Sequence, residues 1–137
     1  MKRYENWEMF LFKAVDREKK KPFSYGTHDC VLLASRLIES MTGEDIAAPM
    51  RGTYTTALGA LKIMKKEYGV DNVCDLASLF LPEIEIKKAK RGDVIFYKDE
   101  KNPVGALGVI LGENAIIPSD DHCIYVPVSK CLRAWVV

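Results

Sequence analysis

Apolar residues recur at steps of three and four along the N-terminal part of the chain, which is the spacing of one face of an α-helix. The first run, with charges between its apolar positions, predicts an amphipathic helix over roughly residues 3–19. A later run predicts a second amphipathic helix from about Tyr54 to Tyr68, ended by Gly69. A short helical segment is predicted from about Asp75 to Leu81, just before a proline.

The segment from about Asp29 to about Met41 differs from these runs because apolar residues cover nearly its whole circumference. Asp29 is a favourable N-cap residue, and Gly43 supplies a C-terminal stop. A helix that is apolar all round belongs in the interior of a protein. We therefore expect a buried central helix that begins beside Cys30.

Beyond about residue 90 the pattern changes to short runs rich in β-branched and aromatic residues, separated by turn clusters. These runs are 93–97, 106–111, 115–118, 123–128 and 132–137. They predict an antiparallel sheet of about five strands, arranged as a meander with the helices on one face. Helices followed by strands indicate an α+β fold, with a helical part at about 1–82 and a sheet part at about 91–137. The length fits a single domain spanning residues 1–137.

Charge and hydropathy narrow the classes of function. The net charge of +1 gives no global field that would attract nucleic acid or anionic lipid, so no nucleic-acid partner is expected. No apolar stretch approaches the ~20 residues that a membrane helix needs, and the N-terminal "MKRYENWEMF" lacks the apolar core of a secretion signal. We expect a protein without a membrane span or signal peptide that is synthesised in the cytoplasm.

The cysteines are scattered along the chain, which argues against a disulfide scaffold, and reduced thiols are expected. They are Cys30, Cys74, Cys123 and Cys131. His28 with Cys30, and His122 with Cys123 and Cys131, offer donors for zinc. However, the short C-x2-C spacing typical of structural zinc sites does not occur. Neither a metal nor a cofactor is expected.

Cys30 lies in the first turn of the predicted central helix. A helix N-terminus carries about half a positive charge and free N–H donors, so a thiol there loses its proton more readily than one with the usual pKa of about 8.5. Cysteine is also among the most frequently buried residue types, and on an apolar helix it can simply fill space. Position alone leaves both interpretations open.

Three stretches of the sequence resemble a known family. "YGTHDCVLLASRL", "KRGDVIFY" and "ALGVILGENAIIP" are similar to the NlpC-type branch of the papain-like cysteine peptidases. The whole chain, including "RGTY" at 51–54 and the terminal "RAWVV", resembles more closely an uncharacterised group of small phage and prophage proteins with that architecture. The resemblance implies a papain-like fold in which the central helix packs on the C-terminal sheet.

The resemblance also implies roles for individual residues. Cys30 matches the nucleophile, Asp29 its neighbour, and Gly92-Asp93 the entry to the first strand. Ala106 stands where the peptidases have their histidine base, and their third polar position falls near Ile117-Pro118. Two of the three catalytic positions therefore lack a suitable side chain.

The chain contains two histidines that could replace the missing base. Pairing across a hairpin turn at 112–115 would put Ala106 opposite residue 120 or 121, which would bring His122 near the vacant position. Asp120 or Asp121 could then orient the His122 imidazole. His28 precedes the helix cap and is the other candidate. Each histidine also has a simpler interpretation, His122 as a solvated turn residue and His28 as a contact of the cap.

Two functions follow from this arrangement. The first is a phage- or prophage-derived module with a degenerate cysteine site, which binds peptidoglycan peptides, a phage tail protein or a host protein and could be part of a virion. The second is an active thiol hydrolase that cuts an amide bond in peptidoglycan, using Cys30 and a non-standard histidine. The missing histidine favours the first function, and the Asp29-Cys30 pair favours the second.

Overall fold

The computed structural model describes all residues from 1 to 137 and contains four α-helices and a six-stranded sheet. The helices are α1 (Trp7–Glu18), α2 (Cys30–Thr42), α3 (Ala57–Tyr68) and α4 (Val73–Phe80). The strands are β1 (Glu83–Ile84), β2 (Val94–Tyr97), β3 (Ala106–Ile110), β4 (Asn114–Ile117), β5 (Ile124–Pro127) and β6 (Arg133–Trp135). The predicted α+β fold is confirmed.

Local sequence signals set the helix boundaries. Asp29 caps the N-terminus of α2, and Gly43 ends it in the left-handed conformation with φ +83°. Thr56 caps α3, and Gly69 ends it with φ +72°. The helix predicted from Tyr54 begins three residues later, because Thr56 adopts the extended cap conformation and its side chain accepts a hydrogen bond from the Gly59 N–H.

The strand order is β1-β6-β2-β3-β4-β5, and every neighbouring pair is antiparallel. The prediction of a simple meander is therefore wrong, because the last strand does not lie next to the strand before it. β6 returns across the sheet and lies between β1 and β2, with Val94 opposite Trp135. The additional strand β1, not predicted from the sequence, pairs with the other edge of β6.

The central helix lies in the interior, as predicted. Most of its residues are buried, and it packs against α1 and β3. The main core lies between the helices and one face of the sheet. A smaller core covers the opposite face, below the short 3₁₀ segments at Ile86–Lys88 and Val128–Lys130. Cys30, the first residue of α2, packs against both cores.

Candidate functional site

Cys30 is the first residue of α2, immediately after the Asp29 cap. The two carboxylate oxygens of Asp29 accept three hydrogen bonds. Oδ1 accepts from the Leu32 N–H at 3.0 Å, and Oδ2 accepts from the Gly26 N–H at 3.1 Å and from the Tyr54 hydroxyl at 2.5 Å. Asp29 is buried, so these donors replace the water that its charge would otherwise bind. The cap therefore fixes the position of Cys30 at the helix N-terminus.

The loop that contains "RGTY" supplies Tyr54 to this cap. The Gly52 N–H donates to the Gly26 carbonyl at 2.8 Å, and a β-carbon at Gly26 would lie 1.9 Å from the Tyr54 carbonyl oxygen. Gly26 also has φ +87°, a conformation that favours glycine. The two loops therefore approach each other more closely than any other residue at position 26 would allow.

Tyr54 contributes to the site, although the sequence pattern predicted it to be a core residue of the helix that follows. The helical spacing counted it as the first apolar position of the third helix, whereas its hydroxyl points to Asp29 from the preceding loop. Burial, followed by the bond to Asp29, raises the pKa of the Tyr54 hydroxyl, so it stays protonated and acts as a donor. The "RGTY" stretch was the available signal, because it belongs to the family resemblance.

Cys30 lines a cleft of about 360 Å³ between the helices and the end of the sheet. Side chains of α3 and the start of α4 form one wall. The loop between β2 and β3 forms another, and Ala106 and Pro118 also line the cleft. The lining is mostly hydrophobic and contains no lysine, arginine or histidine. Its size is within the range of ordinary ligand sites, about 300–1,000 Å³.

The surroundings of the Cys30 sulfur oppose its deprotonation. The residue is half-buried, and desolvation of the thiol raises its pKa to about 12 from an ordinary value of 9.0, while the neighbouring Asp29 charge acts in the same direction. The backbone N–H groups of Leu107 and Val31 favour the thiolate, but they offset only part of the desolvation. The shift expected from the helix N-terminus is therefore reversed, because loss of water outweighs the helix dipole.

Ala106 and Pro118 lie near the positions that the resemblance assigned to the base and to its polar partner. Ala106 begins β3 and pairs with Tyr97 on β2. Pro118 follows β4 directly. Both residues line the cleft with Cys30. Ile117, the other residue near the third polar position, is buried in the smaller core instead. The positions that the resemblance assigned to the base and its partner therefore carry apolar side chains.

The structure does not bring His122 into the cleft. The ladder between β3 and β4 runs from Ile110 opposite Ala115 to Val109 opposite Ile116, and it does not continue to Ala106. The chain turns away after Pro118, because segment 119–123 bonds to the loop after α1: the Phe23 N–H donates to the Ser119 and Asp120 carbonyls.

His122 consequently lies in a separate surface depression with Lys19, Lys20 and Asp121. Its Nδ1 is 2.8 Å from the carbonyl oxygen of Cys123. Asp120 and Asp121 are outside the cleft as well. The expected approach of His122 and its acidic neighbours to Cys30 is not present in this structure.

His28 is close to Cys30 in sequence but does not line the cleft. It is buried, with 4% of its surface exposed, and neither ring nitrogen has a hydrogen-bond partner. Burial lowers the pKa of its imidazole, although the neighbouring Glu18 charge acts against that shift. His28 therefore stands in the structure as a neutral packing residue.

The other cysteines, Cys74, Cys123 and Cys131, are buried and free. Nowhere in the chain do three histidine, cysteine or acidic side chains group as a metal site would require. None of the helices is both long and apolar enough to cross a membrane.

Comparison with solved structures defines the class of fold. The NlpC/p60 domain of the peptidoglycan hydrolase SagA superposes with a TM-score of 0.60 at 15% identity, over 95% of this chain and 98% of that one. The P60 domain of an antigen from M. avium paratuberculosis gives a TM-score of 0.50 at 18% identity, over 97% and 93% of the two chains. RipD from Mycobacterium tuberculosis, described as a non-catalytic NlpC/p60 domain protein adapted to peptidoglycan binding, gives 0.49 at 18% identity, with 98% of each chain covered. The chain has the papain-like fold of NlpC/p60 domains, as the sequence resemblance implied.

Within that class, the chain belongs to the family defined by a domain of unknown function, DUF6950, whose model matches residues 2–137. No curated protein matches the sequence significantly.

Proposed function

We propose that this chain is an NlpC-type binding module that accepts a peptide-like ligand in the Cys30 cleft and does not cleave it. One observation carries the proposal: the cleft that contains Cys30 is lined by no imidazole. Ala106, which the resemblance places at the position of the base, lines this cleft as well. The fold and the cleft are retained, whereas the groups that would activate the thiol are absent from it.

The size of the catalytic deficit supports this function. A positioned general base typically contributes about 10² to 10⁴ in rate. A thiol whose pKa is raised this far above 9.0 is almost entirely protonated at pH 7. The missing base and the raised pKa of the thiol affect the same step, since the base would generate the thiolate. Either one leaves a very slow nucleophile.

The proposed ligands come from the resemblance and from the structural neighbours. NlpC/p60 domains such as that of SagA occur in peptidoglycan hydrolases, so peptidoglycan peptides are one candidate. The similarity to small phage and prophage proteins adds a phage tail protein or a host protein. In that setting the chain is made in the cytoplasm and can be assembled into a virion.

An active thiol hydrolase is the second candidate, and the position of Cys30 favours it. The sulfur lies at a helix N-terminus, with the Leu107 and Val31 N–H groups favouring its charged form. This function requires His28 or His122 to move into the cleft, because neither lines it in the structure.

A hydrolysis assay separates the two functions. Purified protein and the Cys30→Ser variant are incubated with peptidoglycan sacculi, and released muropeptides are measured by chromatography. We expect no release by either protein. We also expect Cys30→Ser to lower the thermal midpoint, since a hydroxyl replaces a thiol against both cores at a cost of about 1–3 kcal/mol. Release by the wild-type protein that Cys30→Ser abolishes would overturn the proposal and establish the hydrolase.

A further inference from the structure

The rim of the Cys30 cleft carries apolar side chains that remain exposed. Tyr25 is 38% exposed, Leu61 on α3 is 42% exposed, and Val104 in the loop between β2 and β3 is 84% exposed. All three line the same cleft. Exposed apolar side chains that converge on one concavity mark a surface that a ligand covers.

The charges of the cleft are all of one sign. Asp29 and Asp71 line it, with no cationic side chain to balance them. The Asp29 carboxylate already accepts bonds from Gly26, Leu32 and Tyr54. Asp71 is exposed, and its only bonded neighbour is the amide of Asn72, at 3.1 Å. Asp71 is therefore the carboxylate that is available to a ligand.

This pattern discriminates between ligands by their charge. A ligand carboxylate entering the cleft would lose water and meet no cation, which is unfavourable. A ligand ammonium group at the Asp71 end would meet an opposite charge. The stem peptides of peptidoglycan carry glutamate carboxylates and lack a run of apolar side chains, so they are poorly matched to this mostly hydrophobic lining even where they also carry an amino group.

One polar group of the cleft suits a peptide backbone. The side-chain oxygen of Asn102 accepts from the Gly105 N–H at 3.2 Å, which fixes the side chain and leaves its NH₂ group free to donate. A carbonyl group of a ligand backbone is the complementary acceptor.

We propose that the occupant of the cleft is an apolar peptide segment of a protein partner that carries a basic residue next to Asp71. Its apolar side chains cover Tyr25, Leu61 and Val104, and its backbone accepts from Asn102. The inference rests on the proposed binding function, and it selects a protein partner over peptidoglycan peptides.

The test is fluorescence anisotropy with pentapeptides of the form Leu-Val-Xaa-Leu-Val that are labelled at the N-terminus and amidated at the C-terminus, in which Xaa is lysine, glutamine or glutamate. The stem tripeptide alanyl-γ-glutamyl-lysine is a fourth ligand. We expect the lysine peptide to bind about tenfold more tightly than the glutamate peptide, corresponding to one unpaired carboxylate losing part of its hydration. The stem tripeptide is expected to bind more weakly than the lysine peptide.

Two variants connect the preference to the cleft. Asp71→Asn should weaken the lysine peptide about threefold and leave the glutamine peptide unchanged, as expected for one exposed charge pair. Leu61→Asn should weaken both peptides. The matched controls are Asp121→Asn, an acidic residue in the depression that holds His122, and Leu132→Asn, an exposed leucine outside the cleft. Neither control should change any affinity.

The outcomes separate the two proposals. If the stem tripeptide or the glutamate peptide binds as well as the lysine peptide, the inference about the partner is wrong, while a binding module remains. A lysine preference that Asp71→Asn does not reduce also overturns the assignment of Asp71. If no peptide binds, both the inference and the proposed binding function are overturned.

Discussion

Cys30 shows at the scale of one residue how two opposing effects decide a pKa. The helix N-terminus favours the thiolate, but the surroundings remove water from the sulfur, and burial raises the pKa of the thiol to about 12. Helix-dipole effects are commonly 0.3–1 kcal/mol, whereas one pKa unit corresponds to about 1.4 kcal/mol. A shift this large therefore reports desolvation.

We expect the alkylation of Cys30 by iodoacetamide to keep rising with pH up to pH 11, because only the thiolate reacts. The rate is followed at this one residue by mass spectrometry of the tryptic peptides. The same protein in concentrated urea is the control, and there the rate should level off near the ordinary value of 9.0. A rate that levels off below pH 9 in the folded protein would show an activated thiol instead.

His28 is the second residue whose burial predicts a pH effect. Burial lowers its pKa below the ordinary 6.5, against the opposing charge of Glu18, while Lys21 adds to the lowering and Asp29 opposes it. At pH values between the His28 pKa of the folded protein and that of the unfolded chain, the unfolded chain binds a proton that the folded protein does not. The free energy of unfolding therefore falls as the pH drops below about 6.5, by up to about 1.4 kcal/mol per pH unit.

Replacing His28 by phenylalanine should flatten this decline, because it removes the imidazole that binds the proton. The substitution breaks no hydrogen bond, since neither ring nitrogen has a partner. The measurement is urea unfolding of wild-type protein and His28→Phe between pH 7 and pH 5. His122→Phe is the matched control and should decline in parallel with the wild type, because His122 is exposed. An equally steep decline in His28→Phe would assign the acid sensitivity to other groups.

At the scale of elements, the N-terminus of α2 depends on a loop that is distant in sequence. The Tyr54 hydroxyl donates to the buried Asp29 carboxylate at 2.5 Å, across 25 residues of sequence. Hydrogen bonds to charged groups contribute about 1.5–3 kcal/mol, against about 0.5–1.5 kcal/mol for neutral pairs. The cap and the "RGTY" loop should therefore stabilise each other.

We expect Tyr54→Phe to lower the free energy of unfolding by about 1.5–3 kcal/mol, measured by urea denaturation. Tyr68→Phe is the matched control, because the Tyr68 hydroxyl donates to the neutral Ile46 carbonyl at 2.8 Å. That variant should lose about 0.5–1.5 kcal/mol. Equal losses in the two variants would indicate that the charge on Asp29 does not strengthen the bond to Tyr54.

The elements also show which parts of the fold the sequence could predict. The extent of α2 and the end of α3 followed from local signals, namely caps, glycine stops and apolar spacing. The insertion of β6 beside β2 could not be read from a local pattern, since it depends on pairing between Val94 and Trp135.

The same limit applied to the candidate site. The start of α2 beside Cys30 was predictable from the Asp29 cap, whereas the location of His122 was not. The predicted hairpin register put residue 120 or 121 opposite Ala106 and His122 close by, but segment 119–123 leaves the sheet and bonds to the loop after α1. Hydrogen bonds to residues far away in the sequence decided the position of His122, and the local sequence of segment 119–123 does not indicate them.

At the scale of the whole molecule, the two ends of the chain meet on one carboxylate. Asp93 Oδ1 accepts from Arg3 at 2.9 Å and from the Val137 N–H at 3.1 Å, while Oδ2 accepts from the Lys90 N–H at 2.9 Å. Asp93 is buried at the entry to β2. The Asp93 carboxylate is therefore fully occupied inside the protein and has a structural role.

Removing the arginine from this junction should be costly. Arg3 is 18% exposed and its partner Asp93 5%, so Arg3→Ala leaves a buried carboxylate without its cation. Breaking such a pair typically costs about 3–5 kcal/mol, and the remaining N–H donors of Lys90 and Val137 place the expected loss near 3 kcal/mol.

The contrast with an exposed pair makes the measurement decisive. Arg36 and Glu39 on α2 lie at 3.0 Å, with both side chains more than a third exposed. Arg36→Ala should therefore cost at most about 1 kcal/mol. The two variants are compared by urea unfolding at the same pH and salt concentration. Equal losses would mean that water reaches the Asp93 junction, and that the meeting of the chain ends contributes little to the stability of the sheet that supports the cleft.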